Sequence, residues 1–173
     1  MVMGFPVFDS DSEAKNLMVH NASVVKKIRN IFGDAAYVQG ELNRKFLAQQ
    51  IFNNPQLKDQ LSNIVHPAVR QYFEHWCKKQ TAPIVFNEAA ILFETGRYKD
   101  FDYTILVTAP ENIRIRRVIQ RDQTTTEAVK SRMDNQWKDE EKKKLASFSI
   151  VNDDRELVTL QIEKILSQLH FSI

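Results

Sequence analysis

The chain has 173 residues, of which 43% are hydrophobic and 27% are charged, and its formal net charge is +2. This size and composition are typical of one folded domain, and so small a charge does not favour nucleic acid or an anionic membrane as a partner. The single Cys77 excludes an internal disulfide and fits a reducing compartment. No apolar run is long enough to span a bilayer and the first residues are unlike a signal peptide, so we expect a cytoplasmic protein.

The first predicted element is a short apolar strand over residues 5–8, which ends at two carboxylates, Asp9 and Asp11. We expect this strand to be buried on both faces and a helix to follow it, with Ser10 or Asp11 as the N-cap. Ligands of open α/β sheets lie at the carboxyl ends of such strands. The alternative is that both carboxylates only cap the helix and complement its dipole, and the stretch taken alone favours this alternative.

Apolar residues at helical spacing dominate the chain from residue 12 to residue 80. His66-Pro67 interrupts the longest of these patterns, and because the residue before a proline resists helical geometry, we expect a kink or a junction there. The segment is too long for one crossover between strands. We therefore predict a helical subdomain over residues 12–80.

Three more strands are predicted, at residues 83–86, 103–107 and 148–151. The first of them ends on Asn87 and the last on Asn152, so polar groups again follow buried strands. Strands that alternate with helices predict a mostly parallel α/β sheet with right-handed crossovers.

Basic residues concentrate after the third strand, with arginines from Arg114 to Arg132 and lysines up to Lys144. Composition slightly favours two solvated helix faces. The alternative is a mobile cationic lid over a polyphosphate, because the planar guanidinium fork binds phosphate oxygens in pairs.

Metal-site and nucleophilic-hydrolase interpretations find no support in the pattern. His20, His75 and His170 show no metal-ligand spacing with Cys77. His66 has no Ser, Cys or second His beside it, which favours a structural role.

Taken together and in order, the segments resemble the bacterial dephospho-coenzyme A kinase family. The match extends over the whole chain, and the order and spacing of the short motifs make it specific. The segments concerned are residues 4–11 with their Asp-x-Asp, 40–44, 51–52, 64–67, 91–94 and 150–152, together with Arg117, Arg121-Asp122, Arg132 and Gln136.

The resemblance implies a single P-loop kinase-like domain over residues 1–173, with a parallel sheet and flanking helices. Residues 12–80 would then bind substrate and residues 111–146 would form the lid. The implied reaction is the last step of coenzyme A biosynthesis, in which the γ-phosphoryl of ATP moves, with Mg²⁺, to the ribose 3′-hydroxyl of dephospho-CoA. The resemblance also fits a cytoplasmic monomer or weak homo-oligomer.

The family pattern assigns roles to individual residues. Asp11 would accept the proton of the attacking hydroxyl, and Arg132, helped by Arg117, would neutralise charge on the transferred phosphoryl. The other implied site residues are Arg117 and Asn152 on the ATP side, with Asn152 near the adenine, and Asp9, Arg44, His66 and Glu94, which would line or support the acceptor side.

One departure from the family pattern affects these expectations. Family members carry a strand, the phosphate loop Gly-x-x-Gly-x-Gly-Lys-Ser/Thr and a helix before the stretch that resembles residues 4–11, whereas here only three residues precede Gly4. Each charge-assisted hydrogen bond of such a loop is worth about 1.5–3 kcal/mol. We therefore expect these 173 residues alone to hold an incomplete Mg²⁺ site and to turn over ATP negligibly. A truncated sequence is the favoured explanation, and the alternative is a non-catalytic relative that binds a CoA-like ligand or a partner.

Two structural features bear on these explanations. A plain helical interaction module would expose Tyr72, Phe73 and Trp76 as an apolar patch. In the family architecture a central strand lies between those predicted at residues 83–86 and 103–107. Without it we expect direct pairing of the two strands, a second chain in the slot, or marginal stability.

Overall fold

The computed structural model describes residues 4–170, apart from the side chain of Asn53. The chain divides into two compact units between Ala90 and Ile91. The predicted domain boundaries stay predictions. Among residues 4–170, no helix is both long enough and apolar enough to cross a membrane.

The first unit consists of one parallel strand pair, a small hairpin and four helices. Its elements in chain order are β1 (Val7–Asp9), α1 (Ser10–His20), α2 (Ala22–Phe32), β2 (Tyr37–Val38), β3 (Glu41–Leu42), α3 (Arg44–Asn53), α4 (Pro55–Cys77) and β4 (Phe86–Glu88).

Asparagine side chains start three of these helices. Asn21 accepts hydrogen bonds from the backbone N–H groups of Ser23 and Val24, both at 3.1 Å. Asn43 and Asn54 cap α3 and α4 in the same way. These caps satisfy N–H groups that have no partner inside a helix.

We expect Asn21→Ala to lower the free energy of unfolding by about 1 kcal/mol, because the first N–H groups of α2 lose their acceptor. Urea unfolding followed by circular dichroism measures the change. Asn21→Asp keeps a capping oxygen and serves as the control. An alanine variant with an unchanged midpoint would contradict the capping role.

The hydrophobic core of the first unit forms where α2 meets α3 and α4. Ile28 of α2 has no exposed surface, and Val24 and Phe32 on the same face are also buried. These residues recur at intervals of four, which puts them on one side of the helix. The helical pattern in the sequence therefore identified this core correctly.

A second cluster fixes the position of β1 against α4. Phe8 is 2% exposed and its ring lies 5.1 Å from the ring of Phe73 and 5.4 Å from that of Trp76. Tyr72 is 38% exposed and also contacts Phe8. Because these rings pack on the strand, they do not form the exposed patch of a helical interaction module.

A kink or a junction was expected at His66-Pro67; the junction is wrong, and the kink stays a prediction. Helix α4 runs without interruption from Pro55 to Cys77, with Pro67 inside it. Val65 and Val69 on either side are buried, so tertiary packing holds the helix together where proline removes one backbone donor.

The parallel pair of the first unit begins later than the sequence predicted. Phe8 lies opposite Asn87 and Asp9 opposite Glu88, so the polar residues that were expected to follow the strands belong to them. Pro6 accounts for the late start of the first strand, because a proline has no N–H to donate to a ladder. The pairing begins with the bond from the Phe86 N–H to the Pro6 carbonyl, at 2.9 Å. Val7 is 49% exposed, so the expectation of burial on both faces of this strand is wrong.

The hairpin of β2 and β3 was not predicted. Gln39 and Gly40 join the two strands, and both have positive φ, 52° and 85°. Two consecutive residues of this kind form a tight hairpin turn. The segment was expected to be a loop, because its strands have only two residues each and give no alternating pattern.

The second unit has its own parallel pair, with Ile105 opposite Phe148 and Thr108 opposite Val151. The parallel arrangement is confirmed, and the last predicted strand has the predicted bounds. The elements in chain order are β5 (Ile105–Thr108), α5 (Glu111–Asp122), α6 (Thr126–Asp134), α7 (Asp139–Lys143), β6 (Phe148–Val151) and α8 (Val158–Gln168).

The parallel strands of residues 4–170 thus form two pairs, β1 with β4 and β5 with β6. One expected outcome was direct pairing between the strands predicted at residues 83–86 and 103–107, and this pairing is not among the two. Val107 of β5 is 57% exposed, whereas its neighbour Leu106 is 7% exposed.

Candidate active site

The first unit gathers polar side chains at the carboxyl ends of β1 and β4. Ser10 is 8% exposed and its hydroxyl donates to Oδ1 of Asn87 at 3.0 Å. Asp9 lies opposite Glu88 in the strand register. We call these four residues and Asp11 the acidic edge.

Asp9 is the N-cap of α1, where Ser10 or Asp11 had been expected. Its Oδ1 accepts from the backbone N–H of Ser12 at 2.9 Å, and its Oδ2 accepts from the Ser12 hydroxyl at 2.6 Å. Both carboxylate oxygens of Asp9 therefore stabilise the start of the helix. Asp11 lies in the first turn and is exposed to solvent.

The pKa of Asp9 lies below its ordinary value. The hydrogen bond from the Ser12 hydroxyl is the largest cause and the bond from the Ser12 N–H the next. A carboxylate with a lowered pKa is a weaker base, so the bonds from Ser12 make Asp9 poorly suited to accept a proton.

We expect Ser12→Ala to raise the pKa of Asp9, because the hydroxyl bond that favours the charged form is lost. Carboxyl-carbon NMR titration measures it, with Ser23→Ala as the control. Because the pKa of Asp9 is lower in the folded state than in the unfolded state, its charged carboxylate stabilises the fold at pH values above the unfolded-state pKa. This stabilisation is lost as the pH falls through the folded-state pKa. The variant should therefore lose less stability than the wild type on acidification, and an Asp9 pKa equal to that of the wild type would contradict the argument.

The structure places the two other predicted site residues of the first unit on separate helices. Arg44 is exposed at the first position of α3, whose N-cap is Asn43. His66 is half-buried within α4. Their roles stay predictions.

In the second unit, two predicted residues of the ATP side lie together. Arg117 of α5 donates through Nη1 to the backbone carbonyl of Asn152 at 2.8 Å and through Nη2 to its Oδ1 at 3.3 Å. The same guanidinium forms an ion pair with Asp154 at 2.5 Å, and Arg116 contacts that carboxylate at 3.1 Å. The loop after β6 is thus tied to α5.

Arg132 of α6 lies at the surface beside the end of α5. Its Nη1 is 3.0 Å from Oδ2 of Asp122, and its side chain is 63% exposed. Arg121 also binds Asp122, at 2.8 Å. Hydrogen bonds from Arg121 and then Arg132 hold the pKa of Asp122 below its ordinary value. Because phosphate oxygens accept the same bonds as a carboxylate, they could replace Asp122 on Arg132.

Glu94 binds other residues of the second unit. Its Oε1 accepts from the backbone N–H of Trp137 at 2.9 Å and lies 2.7 Å from Nζ of Lys142. Burial raises the pKa of Glu94, but hydrogen bonds from Lys142 and from backbone N–H groups together lower it by more. The pKa of Glu94 therefore lies below its ordinary value.

Sequence reasoning missed several residues that shape these sites. Asp154 was not singled out, Lys142 was noted only among the lysines up to Lys144, and Asp122 only beside Arg121 in the family resemblance. Nothing in the spacing of these residues connects them with Arg117, Arg132 or Glu94, because the contacts depend on tertiary folding.

No group of three or more His, Cys, Asp or Glu side chains in residues 4–170 could hold a metal ion. The acidic edge therefore does not form a protein cage for a cation.

Comparison with known proteins places these features in a family. A family profile described as dephospho-CoA kinase matches residues 1–157. A dephospho-CoA kinase of Bacteroides fragilis is 33% identical over 173 residues, which is 99% of this chain and 84% of the relative. One from Salinibacter ruber is 40% identical over 155 residues, covering 87% of this chain and 77% of the relative.

Solved structures agree with the sequence comparisons. The protein TT1252 from Thermus thermophilus superposes with a TM-score of 0.86 at 31% identity, covering 97% of this chain and 86% of that one. A dephospho-CoA kinase from Campylobacter jejuni superposes with a TM-score of 0.62 at 29% identity and the same coverage.

Proposed function

The chain belongs to the dephospho-CoA kinase family of ATP-dependent kinases, and from this premise we propose how its residues carry out the transfer. The family accounts for ATP and dephospho-CoA as the two substrates. One observation supports the assignment of the residue that accepts the proton. Both carboxylate oxygens of Asp9 accept hydrogen bonds from Ser12, whereas the carboxylate of Asp11 is exposed.

Asp11 is the proposed general base. A base must be ionised at neutral pH and within hydrogen-bond reach of the hydroxyl that attacks. Asp11 is exposed at the start of α1, next to the carboxyl ends of two parallel strands, where ligands of α/β sheets bind. Asp9 supports it by holding the first turn of that helix.

Arg132 and Arg117 are the proposed stabilisers of the transferred phosphoryl. Charge spreads over the equatorial oxygens during transfer, and an arginine near them lowers the barrier electrostatically. Both guanidinium groups are held by carboxylates, which phosphate oxygens can replace. Asn152, bound to Arg117, lies by the same assignment near the adenine of ATP.

Arg44 and His66 are proposed to line the acceptor side, where dephospho-CoA brings its own phosphate groups. An exposed arginine at the start of α3 suits a phosphate because its charge is permanent and its donors are paired.

We expected Mg²⁺ with ATP, but the residues described do not form a metal cage. Mg²⁺ is usually held by phosphates and water with only one or two protein ligands. We assign it no ligand here and derive no step through it. A cytoplasmic location is proposed from the single cysteine, and a protein that binds no nucleic acid from the net charge of +2. A monomer or weak homo-oligomer is proposed from the family resemblance alone.

The test is an assay of the protein as its native gene expresses it, with ATP, Mg²⁺ and dephospho-CoA. Mass spectrometry should detect CoA, formed together with ADP. CoA already carries the 3′-phosphate, so it serves as the control acceptor and should give no ADP. Binding of dephospho-CoA without turnover would instead support a non-catalytic relative.

A further inference from the structure

A buried ion pair in the second unit joins two segments that are 48 residues apart in sequence, Glu94 and Lys142. The side chain of Lys142 is 8% exposed and that of Glu94 is 12% exposed. The same Glu94 oxygen accepts the backbone N–H of Trp137, so one atom holds both Trp137, between α6 and α7, and Lys142, on α7. Glu94 Oε2 is buried and has no hydrogen-bond partner.

The turn that carries Glu94 is itself well fixed. The Thr95 N–H donates to the Ile91 carbonyl and the Gly96 N–H to the Phe93 carbonyl. Phe93 is buried and stacks on Tyr98. Glu94 can therefore act as a fixed anchor for the segment that it binds.

A short path leads from this anchor to Arg132. Trp137 follows Gln136, whose N–H donates at 2.9 Å to the carbonyl of Met133, the neighbour of Arg132 in α6. A second ion pair at 3.5 Å, between Arg114 of α5 and Asp139, holds the start of α7. The segment that follows α6 is thus tied at Trp137 and at Asp139.

The energetics favour a geometric role for the buried pair. Burying two charges costs about as much as their attraction returns, so such a pair adds little net stability, whereas removing one partner leaves an uncompensated buried charge. Its principal effect is on where the attached backbone lies.

We propose that Glu94 and Lys142 are positioning residues that fix the α6–α7 connection and, through it, the place of Arg132 during phosphoryl transfer. This inference rests on the proposed function, and it assigns Glu94 a task other than contact with the acceptor. Lys142 has no part in the roles assigned above.

The experiment uses the protein as its native gene expresses it, carrying Trp76→Phe, which leaves Trp137 as the one indole among the 173 residues. Lys142→Met removes the charge while keeping an apolar side chain of similar length. Lys142→Arg restores the charge, and Lys143→Met removes the exposed lysine that follows on α7. Thermal melts confirm that each variant is folded. Time-resolved anisotropy of Trp137 reports local order without any need for turnover.

Lys142→Met should increase the amplitude of nanosecond motion at Trp137 and lower kcat by about 10–100-fold, since small misplacement of a catalytic group has effects of this size. The KM for each substrate should change by less than about threefold. Lys142→Arg should restore both readouts, and Lys143→Met should match the Trp76→Phe parent.

Unchanged anisotropy in Lys142→Met would overturn the proposal whether or not the protein turns over. Altered anisotropy with an unchanged kcat, or a kcat that falls only with the folded fraction, would also overturn it. If every variant and the wild type lack activity, the proposed function fails, and the positioning of Arg132 for transfer fails with it. The anisotropy then still decides whether the pair orders the connection.

Discussion

Replacing Asp11 by asparagine, in the protein as its native gene expresses it, is expected to lower kcat by about 10²–10⁴-fold, the usual effect of removing a general base. The exposed position of Asp11 in the first turn of α1 makes a change in folding small. The substitution keeps the size and the hydrogen-bonding capacity of the side chain but removes its ability to take a proton. Binding of ATP and dephospho-CoA should therefore change little, as isothermal titration calorimetry can show.

Glu13→Gln is the matched control for Asp11→Asn, because it neutralises another carboxylate in the same turn. It should leave kcat within about twofold of the wild type, as expected for a group that does not take part in the chemical step. A loss below about tenfold in Asp11→Asn would be too small for a general base. In that case Asp9, the other carboxylate of this segment, becomes the first residue to test.

Arg132→Ala is expected to slow the transfer step by about 10²–10³-fold, as measured when one group that stabilises transition-state charge is removed. Its ion pair with Asp122 is largely exposed, so the change in folding stability should be small. Single-turnover kinetics at saturating substrates measures the step directly. Arg132→Lys keeps the charge but loses the paired donors, and it should recover only part of the rate.

Lys130→Ala serves as the control for Arg132→Ala, since it removes a positive charge from the same helix, two residues earlier. Equal losses in the two variants would mean that the rate depends on the total positive charge of α6 and not on the position of Arg132. A loss below about fivefold in Arg132→Ala alone is outside the range for such a group. The main role would then move to Arg117, which is already oriented by Asn152.

The strands and helices were the most predictable part of the fold. The apolar spacing of Val24, Ile28 and Phe32 identified a buried helix face, because burial requires that periodicity. The strand over residues 148–151 was predicted to the residue. The first strand was misplaced because Pro6 cannot donate to the ladder, which therefore begins after it, and apolar character alone does not reveal this.

The candidate site residues came mainly from the family resemblance and less from the residues themselves, and their roles stay predictions. The sequence singled out Asp9 and Asp11, but only the hydrogen bonds of Ser12 distinguish the cap from the exposed carboxylate. Likewise, Glu94 was expected on the acceptor side, and its bond to Lys142 depends on a distant segment that folding brings close. Pairings of this kind follow from tertiary structure and leave no local pattern.

Four arginines of the second unit already have anionic partners before any nucleotide binds. Asp122 is shared by Arg121 and Arg132, and Asp154 by Arg116 and Arg117, so four guanidinium groups share two carboxylates. If phosphates of ATP replace these carboxylates, as proposed above for Arg117 and Arg132, one fixed counterion is exchanged for another and fewer dissolved ions are released. Added salt screens the arginine–carboxylate pairs and the arginine–phosphate pairs alike. The affinity for ATP should therefore depend less steeply on ionic strength than the number of arginines suggests.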